Sequence, residues 1–145
     1  MTPNLNVNER QCMRFKKALF TCLALVLLSV TNGALAENCQ NLRAQVDVNA
    51  CTYANLDFET KKLNNTYRNY SKKLDAEQKK QFKEIQLAWI KFKDLSCKFE
   101  ASGVEGGSAY PMILDVCLTE KTKQRYKELE ILNNCQEGDL NCPAR

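Results

Sequence analysis

The sequence of 145 residues contains no histidine, one tryptophan, three prolines and five glycines. Without histidine the chain has no Ser-His or Cys-His pair, the arrangement that activates the nucleophile in many hydrolases. A frequent zinc ligand is missing as well, and none of the eight cysteines has the Cys-x-x-Cys spacing. We therefore expect no catalytic residues of this type, no metal site and no cofactor.

The sequence also lacks an apolar run long enough to cross a bilayer. The longest, ALFTCLALVLLSV at residues 18–30, has 13 residues, whereas a span needs roughly 20. It follows a short basic segment and precedes the small-x-small pattern that ends at Ala36, so it predicts a signal peptide over residues 1–36. Met13 is an alternative start. Cys39 follows an acid and an amide, which argues against a lipoprotein. The pattern predicts an exported protein with no stable membrane anchor after signal cleavage.

The positive charge of the chain belongs mostly to this leader. Four of the 21 Lys and Arg residues and one of the 17 Asp and Glu residues precede Glu37. The remaining 17 basic and 16 acidic residues give a net charge of +1. A nucleic-acid-binding surface needs an excess of basic residues. The aromatic and basic run at residues 89–93 fits a helix core better, since Trp89 and Phe92 share an apolar face. No nucleic-acid partner is expected.

Six cysteines follow the leader, and an even number in an exported domain predicts disulfides. They are Cys39, Cys51, Cys97, Cys117, Cys135 and Cys142. The preferred pairing is Cys39–Cys51, Cys97–Cys117 and Cys135–Cys142. The alternative joins Cys51 to Cys97 and Cys39 to Cys117. Spacing alone does not decide between the two sets.

Apolar residues that recur every three or four positions predict three helices, at about residues 48–74, 76–100 and 111–133. Asp75 and Gln78 form a capping-box pattern at the start of the second helix. The short junction at Asp75 favours either an antiparallel hairpin or one long kinked helix. The hairpin is preferred, because neither of the first two helices can bury its apolar face alone. The predicted fold class is all-α, an antiparallel three-helix bundle stapled by disulfides. It forms a single domain over residues 37–145 with a short, polar, Cys-containing tail.

Each predicted helix has an apolar face that we expect to be buried. The first comprises Leu56, Leu63, Tyr67, Tyr70 and Leu74. The second comprises Phe82, Ile85, Trp89, Phe92 and Phe99, with Leu95 bridging the gap. The third comprises Ile113 or Leu114, Cys117 or Leu118, Tyr126, Leu129 and Leu132. In a hairpin of two such helices, Cys39, Cys51, Cys97 and Cys117 converge at the end opposite the turn.

The longest predicted loop, residues 101–110, contains three of the five glycines. Ordering such a loop costs conformational entropy, which a disulfide at its base would offset. It is either a plain connector or a protruding recognition loop. Paired carboxylates for sugar hydrolysis are poorly placed, because Glu84 and Asp94 lie about 15 Å apart along one helix. Glu100 with Glu105 is the other candidate pair, and a solvated helix face is the better interpretation of both.

Several segments resemble the lysozyme inhibitor LprI family, small exported bacterial helical proteins. They are Cys51, LNNTY at 63–67, QLAWIKFKDLSC at 86–97, EGGS at 105–108, Cys117 and residues 119–129. The resemblance covers about residues 39–130, and the pattern Q-x-x-W-[IL]-x-[FY]-[KR]-D-x-x-C is its most specific part. It implies a bacterial periplasmic or secreted binding protein rather than an enzyme, with no catalytic residues to carry over. The named mycobacterial type is lipid-anchored, and this chain departs from that type in its cysteine placement.

The resemblance implies a protein partner of the lysozyme type and a steric mechanism. The loop at 103–110 would enter the sugar-binding cleft of a muramidase. Glu105 would face a basic enzyme surface, and Ser108 and Tyr110 would offer hydrogen bonds. The alternative is a periplasmic scaffold or immunity-type protein that binds another envelope protein. An enzyme acting on cell-wall glycan is disfavoured because no acid–base pair has suitable geometry.

Overall fold

The computed structural model describes residues 38–136 and 138–143, and the predicted signal peptide lies outside them. The described part is all-helical, which confirms the predicted fold class. Its helices are α1 (Gln45–Ser71), α2 (Ala76–Ala101) and α3 (Tyr110–Asn133). Short 3-10 turns lie at Cys39–Asn41 and Ser102–Val104. The predicted boundaries are correct to within about three residues.

The junction between α1 and α2 is a turn and not a continuous helix. The Asp75 carboxylate accepts a hydrogen bond from the Gln78 backbone N–H at 2.8 Å, and the Gln78 side chain accepts one from the Asp75 N–H at 3.1 Å. This is the predicted capping box, and it satisfies two backbone donors that have no partner within the helix. The chain thus reverses within four residues, and α2 runs back along the bundle.

Cross-helix contacts define an up-down-up bundle. At the start of α1, Asn49 donates to the carbonyl of Ser108, just before α3, and beyond the end of α1, Lys73 donates to the carbonyl of Asn133. Helices α1 and α3 are therefore parallel. Helix α2 is antiparallel to α3, because residues 86 and 97 of α2 bond to residues 125 and 117 of α3. Helix α3 packs against both of the other helices.

The apolar core occupies the half of the bundle near the α1–α2 turn. Its buried members are Leu63, Tyr70, Leu74, Phe82 and Leu129. The Phe82 ring stacks on Tyr67, with ring centroids 4.7 Å apart, and meets Tyr70 edge-on at 5.2 Å. The half-buried residues Trp89, Tyr126 and Leu132 complete the cluster. This part of the predicted core is confirmed.

Four of the residues predicted on the core face of α2 are exposed, whereas Phe82 and Trp89 contact the core as predicted. Ile85, Phe92, Leu95 and Phe99 have exposed fractions of 55, 62, 59 and 80%. Besides Phe82, the residues that α2 buries are Gln86, Cys97 and Ala101. The disulfide from Cys97 to α3 explains the difference, because it turns residue 97 inward. Successive helical residues are about 100° apart, so Phe99, two positions later, points away from α3.

The structure forms the preferred set of disulfides. Cys39 joins Cys51, Cys97 joins Cys117 and Cys135 joins Cys142, with Cα–Cα distances of 5.9, 5.6 and 5.6 Å. The tail held by the third bridge folds back on the hairpin turn, where Gln78 donates to the Pro143 carbonyl at 2.6 Å. The first two bridges lie toward the opposite end, beside the loop between α2 and α3.

Candidate protein-binding site

The loop between α2 and α3 has a rigid base. Cys97 has no exposed surface and is bonded to Cys117, which brings the two backbones within 5.6 Å. Ala101, the last residue of α2, is 1% exposed. A side chain larger than methyl would not fit such a close approach without moving the helices apart. The loop therefore leaves the bundle from a fixed position.

The loop backbone is a succession of tight turns. The N–H groups of Glu105, Gly107 and Tyr110 donate to carbonyls three residues earlier, at 3.2, 3.0 and 3.1 Å. Gly106 has φ +79°, a conformation that disfavours any residue with a Cβ atom. A Cβ atom on Gly107 would lie 3.1 Å from the Val104 carbonyl oxygen. Two of the three loop glycines are thus required by the turns, which gives the loop a defined shape.

A second attachment ties the loop to the start of α1. Asn49 donates from its side-chain amide to the Ser108 carbonyl at 3.0 Å, and it accepts a hydrogen bond from Gln45 at 2.9 Å. Gln45 also contacts the sulfur of Met112, near the start of α3. Sequence reasoning missed Asn49, because a single asparagine within a helix carries no distinguishing signal. The loop is consequently braced on both sides.

The three residues predicted to bind a partner all lie on this segment, with different exposure. Glu105 and Ser108 are exposed, whereas Tyr110 is half-buried and is the first residue of α3. Because Asn49 donates to the backbone carbonyl of Ser108, a partner would contact Ser108 through its exposed side chain. Glu105 and Ser108 are therefore better placed for contact than Tyr110.

The nearby carboxylate Glu100 belongs to an ion pair. The Lys121 ammonium lies 3.1 Å from one of its oxygens, and the Ser96 hydroxyl donates to the same oxygen. These hydrogen bonds from Lys121 and Ser96 hold the pKa of Glu100 below its ordinary value. A general acid would need the opposite shift. The arrangement favours a binding surface over an acid–base pair of Glu100 with Glu105.

A line of exposed apolar side chains on α2 ends beside the loop. We call Ile85, Phe92, Leu95 and Phe99 the α2 stripe. The Ser102 hydroxyl, at the start of the loop, donates to the Phe99 carbonyl at 2.7 Å. The sequence pattern had assigned these residues to the core, and the position of Cys97 on the helix was the signal against it. The α2 stripe and the loop are separate surfaces that meet at one end of the bundle.

Two negative findings concern the described residues. The group Cys135, Asp139 and Cys142 has metal-ligand spacing, with its atoms within 4.8 Å of one another, but the two sulfurs are bonded in a disulfide and are not free thiolates. Among residues 38–136 and 138–143, no helix is long and apolar enough to cross a membrane.

The chain matches a known protein family. The family model described as lysozyme inhibitor LprI matches residues 36–129. The chain belongs to the LprI family. The matched region includes α1, α2, the loop with its base disulfide, and most of α3. It ends before the tail with Cys135 and Cys142, so the third disulfide lies outside the family match.

One curated protein is also similar to this chain. An uncharacterised protein of Rhizobium meliloti (strain 1021) is 29% identical over 130 residues, which cover 78% of this LprI-family chain and 94% of the relative. No solved structure matches the chain. The match thus covers nearly all of the relative and more than three quarters of this chain.

Proposed function

We propose that this LprI-family protein is an exported, non-enzymatic inhibitor that binds a lysozyme-type muramidase through the loop at residues 103–110. The family description supports the class of target. The observation that carries the proposed site is the double bracing of the loop, by the Cys97–Cys117 disulfide and by Asn49. Between these attachments, Glu105 and Ser108 are exposed.

The mechanism we propose is steric. A loop that is already ordered loses less conformational entropy when it binds, and more of the contact energy contributes to affinity. Gly106 and Gly107 have no side chains, so the loop backbone can approach the walls of a sugar-binding cleft closely. The Glu105 carboxylate would accelerate association with a basic enzyme in a salt-dependent way. The Ser108 hydroxyl would form a hydrogen bond within the cleft.

The direct test is a lysis assay with the purified exported protein. Hen-type and goose-type lysozymes act on bacterial cell walls in parallel reactions, with increasing amounts of the protein. We expect at least one enzyme to be inhibited in a saturable, stoichiometric manner. Undiminished lysis by both enzymes at a large molar excess would refute the proposed function.

Loop variants test the proposed site separately from the function. Glu105→Ala combined with Ser108→Ala removes the two exposed contacts, and we expect the inhibition constant to rise by about tenfold or more. Tyr110→Ala should have a smaller effect, because Tyr110 is half-buried. Glu77→Ala is the matched control, since Glu77 is an exposed acid near the opposite end of the bundle. Full inhibition by the double variant would place the binding surface elsewhere.

Asn49→Ala tests the role of bracing, because Asn49 supports the loop through the Ser108 carbonyl. We expect weaker inhibition without loss of the helical fold, and a larger unfavourable entropy of binding by calorimetry. Inhibition equal to that of the wild type would show that loop order is not needed.

A further inference from the structure

The α2 stripe is a continuous apolar surface in a chain that has little apolar core. Its members are spaced seven, three and four residues apart, which places them on one face of the helix over about 21 Å. They are between 55 and 80% exposed. Scattered exposed apolar residues are ordinary, but an aligned set marks an interaction surface. Neither the loop nor the proposed inhibition uses it.

The border of the α2 stripe is predominantly basic. Lys91 and Lys98 directly precede Phe92 and Phe99 and are exposed. From the other side, the ammonium of Lys121 lies 5.7 Å from the centroid of the Phe92 ring. The acidic neighbours are Glu84 beside Ile85, Asp94 beside Leu95, and Glu100 beside Phe99. Asp94 pairs with Lys93 at 3.3 Å and Glu100 pairs with Lys121 at 3.1 Å, so Lys91 and Lys98 are the lysines left to contact a partner.

The net charge of α2 differs from that of the other two helices. Helix α2 contains six lysines and four acidic residues, so its net charge is +2. Helices α1 and α3 each contain equal numbers of basic and acidic residues and are neutral. Helix α2 is therefore the only one of the three helices with an excess of positive charge, and this excess lies in residues 76–83, at the end of the helix where the α2 stripe begins.

We propose that the α2 stripe and its lysine border form a docking surface for a bilayer that contains anionic phospholipid. Helix α2 would lie in the plane of the interface, with Phe92, Leu95 and Phe99 among the acyl chains. Lys91 and Lys98 would extend their aliphatic stems along the apolar face and place their ammonium groups at the lipid phosphates. The protein would then be held at the membrane surface without a spanning helix, and the loop would stay accessible.

Charge favours this occupant over a second copy of the chain. A symmetric dimer contact places the same patch on both sides, so the lysines of both copies would be brought into one interface. An anionic membrane surface attracts those lysines, with about a fivefold gain in binding for each one near the surface. Phenylalanine and leucine also suit the apolar face of an interfacial helix, which is buried at the boundary between headgroups and acyl chains.

The test is vesicle binding by protein recovered from the exported fraction of producing cells, with its N-terminus established by mass spectrometry. Vesicles of phosphatidylcholine alone are compared with an equimolar mixture of phosphatidylcholine and phosphatidylglycerol. We expect binding to the mixed vesicles only, reversed by high salt. The fluorescence of Trp89, the only tryptophan, should shift to shorter wavelength, because Trp89 adjoins the α2 stripe and is half-buried. Equal binding to both kinds of vesicle, or to neither, would overturn the proposal.

Variants separate the apolar and electrostatic contributions. Phe92→Ser with Phe99→Ser should abolish sedimentation with mixed vesicles, whereas Ile131→Ser with Leu140→Ser removes two apolar side chains of similar exposure and should leave it unchanged. Lys91→Gln with Lys98→Gln should weaken binding by about 30-fold. All variants share the same N-terminus, so differences between them report on α2.

Further measurements control for loss of the fold, for loss of inhibition and for formation of a dimer. Circular dichroism should show an intact fold in the double serine variant, because both replaced side chains are exposed. Its inhibition of lysozyme should be unchanged, which distinguishes failure of membrane binding from failure of the proposed inhibitory function. Sedimentation velocity that reveals a dimer of the wild type, lost in the double serine variant, would assign the α2 stripe to a second copy and overturn the proposal.

Discussion

The two halves of the bundle are stabilised in different ways. In the half near the α1–α2 turn, large side chains such as Tyr70, Phe82 and Leu129 form a buried cluster. In the other half, the buried residues are mostly small or polar, among them Thr52, Ala101 and Thr119, and two disulfides connect the elements. We call these the apolar half and the disulfide half.

The difference explains where the candidate surfaces lie. A domain of about 100 residues buries a limited apolar area, and small exported domains commonly add disulfides for stability. Because covalent bonds close the disulfide half, its aromatic residues need not be buried there. The braced loop and most of the α2 stripe lie in this half. Covalent closure thus leaves side chains available for recognition.

The largest expected effect compares one phenylalanine from each half. Phe82→Ala removes a buried ring that contacts two tyrosines, and should lower the free energy of unfolding by about 3–5 kcal/mol. Phe92→Ala removes a ring that is 62% exposed, and should change it by less than about 0.5 kcal/mol. Urea unfolding followed by circular dichroism measures both. Similar losses in the two variants would mean that α2 packs with Phe92 inside.

Removal of the disulfide at the base of the loop should have the next largest effect. The bridge closes a segment with a sequence separation of 20, so Cys97→Ala with Cys117→Ala should reduce stability by about 3 kcal/mol. Inhibition of lysozyme should weaken as well, because the loop loses one attachment. The control, Cys135→Ala with Cys142→Ala, breaks a bridge in the tail and should retain inhibition. Loss of inhibition in the control alone would contradict the proposed site.

A smaller effect is expected at the turn that makes the apolar half possible. Asp75→Ala removes the carboxylate that caps α2 and should lower stability by about 1 kcal/mol. Glu77→Ala is the control, because Glu77 lies in the same first turn and makes no capping hydrogen bond. Thermal denaturation of both variants provides the measurement. A larger loss for Glu77→Ala would show that helix-terminal charge, and not the cap, determines the effect.

The apolar half could be predicted from the sequence because its signals are local and consistent. Leu63, Tyr70 and Leu74 recur at helical spacing, and the capping pattern at Asp75 marks the turn. The orientation of α2 in the other half could not be predicted from apolar spacing. Two faces of this helix contain apolar residues there, and the position of Cys97, which depends on its pairing with Cys117, decides which of them is buried.

The candidate site was predictable in part. Three glycines between two cysteines indicated a loop with a stapled base, and Glu105 and Ser108 lie on its exposed part. The brace from Asn49 was not predictable, since it joins residues 59 positions apart through a single hydrogen bond. Nor was the α2 stripe, because exposed and buried phenylalanines have the same local sequence signature.

The smallest expected effect concerns a carboxylate within the disulfide half. Burial raises the pKa of Asp115 above its ordinary value of 3.8, and a hydrogen bond from Thr52 partly opposes the shift. The ionised form is therefore disfavoured in the folded protein. Burial of this group therefore carries no charge penalty well below pH 3.8, where the carboxyl is protonated, and stability is lost as the pH rises from 3.8 through the pKa of the folded state.

Asp115→Asn should accordingly raise the urea midpoint at pH 7, because a neutral side chain avoids the cost of an ionised carboxylate at this partly buried position. Below pH 3.8 the variant and the wild type should unfold at the same urea concentration, since Asp115 is protonated in both states there. Glu84→Gln, at an exposed position, should change neither midpoint. A lower midpoint for Asp115→Asn at pH 7 would mean that the ionised carboxylate stabilises the disulfide half. The polar contacts of the disulfide half would then contribute to its stability in addition to the two disulfides.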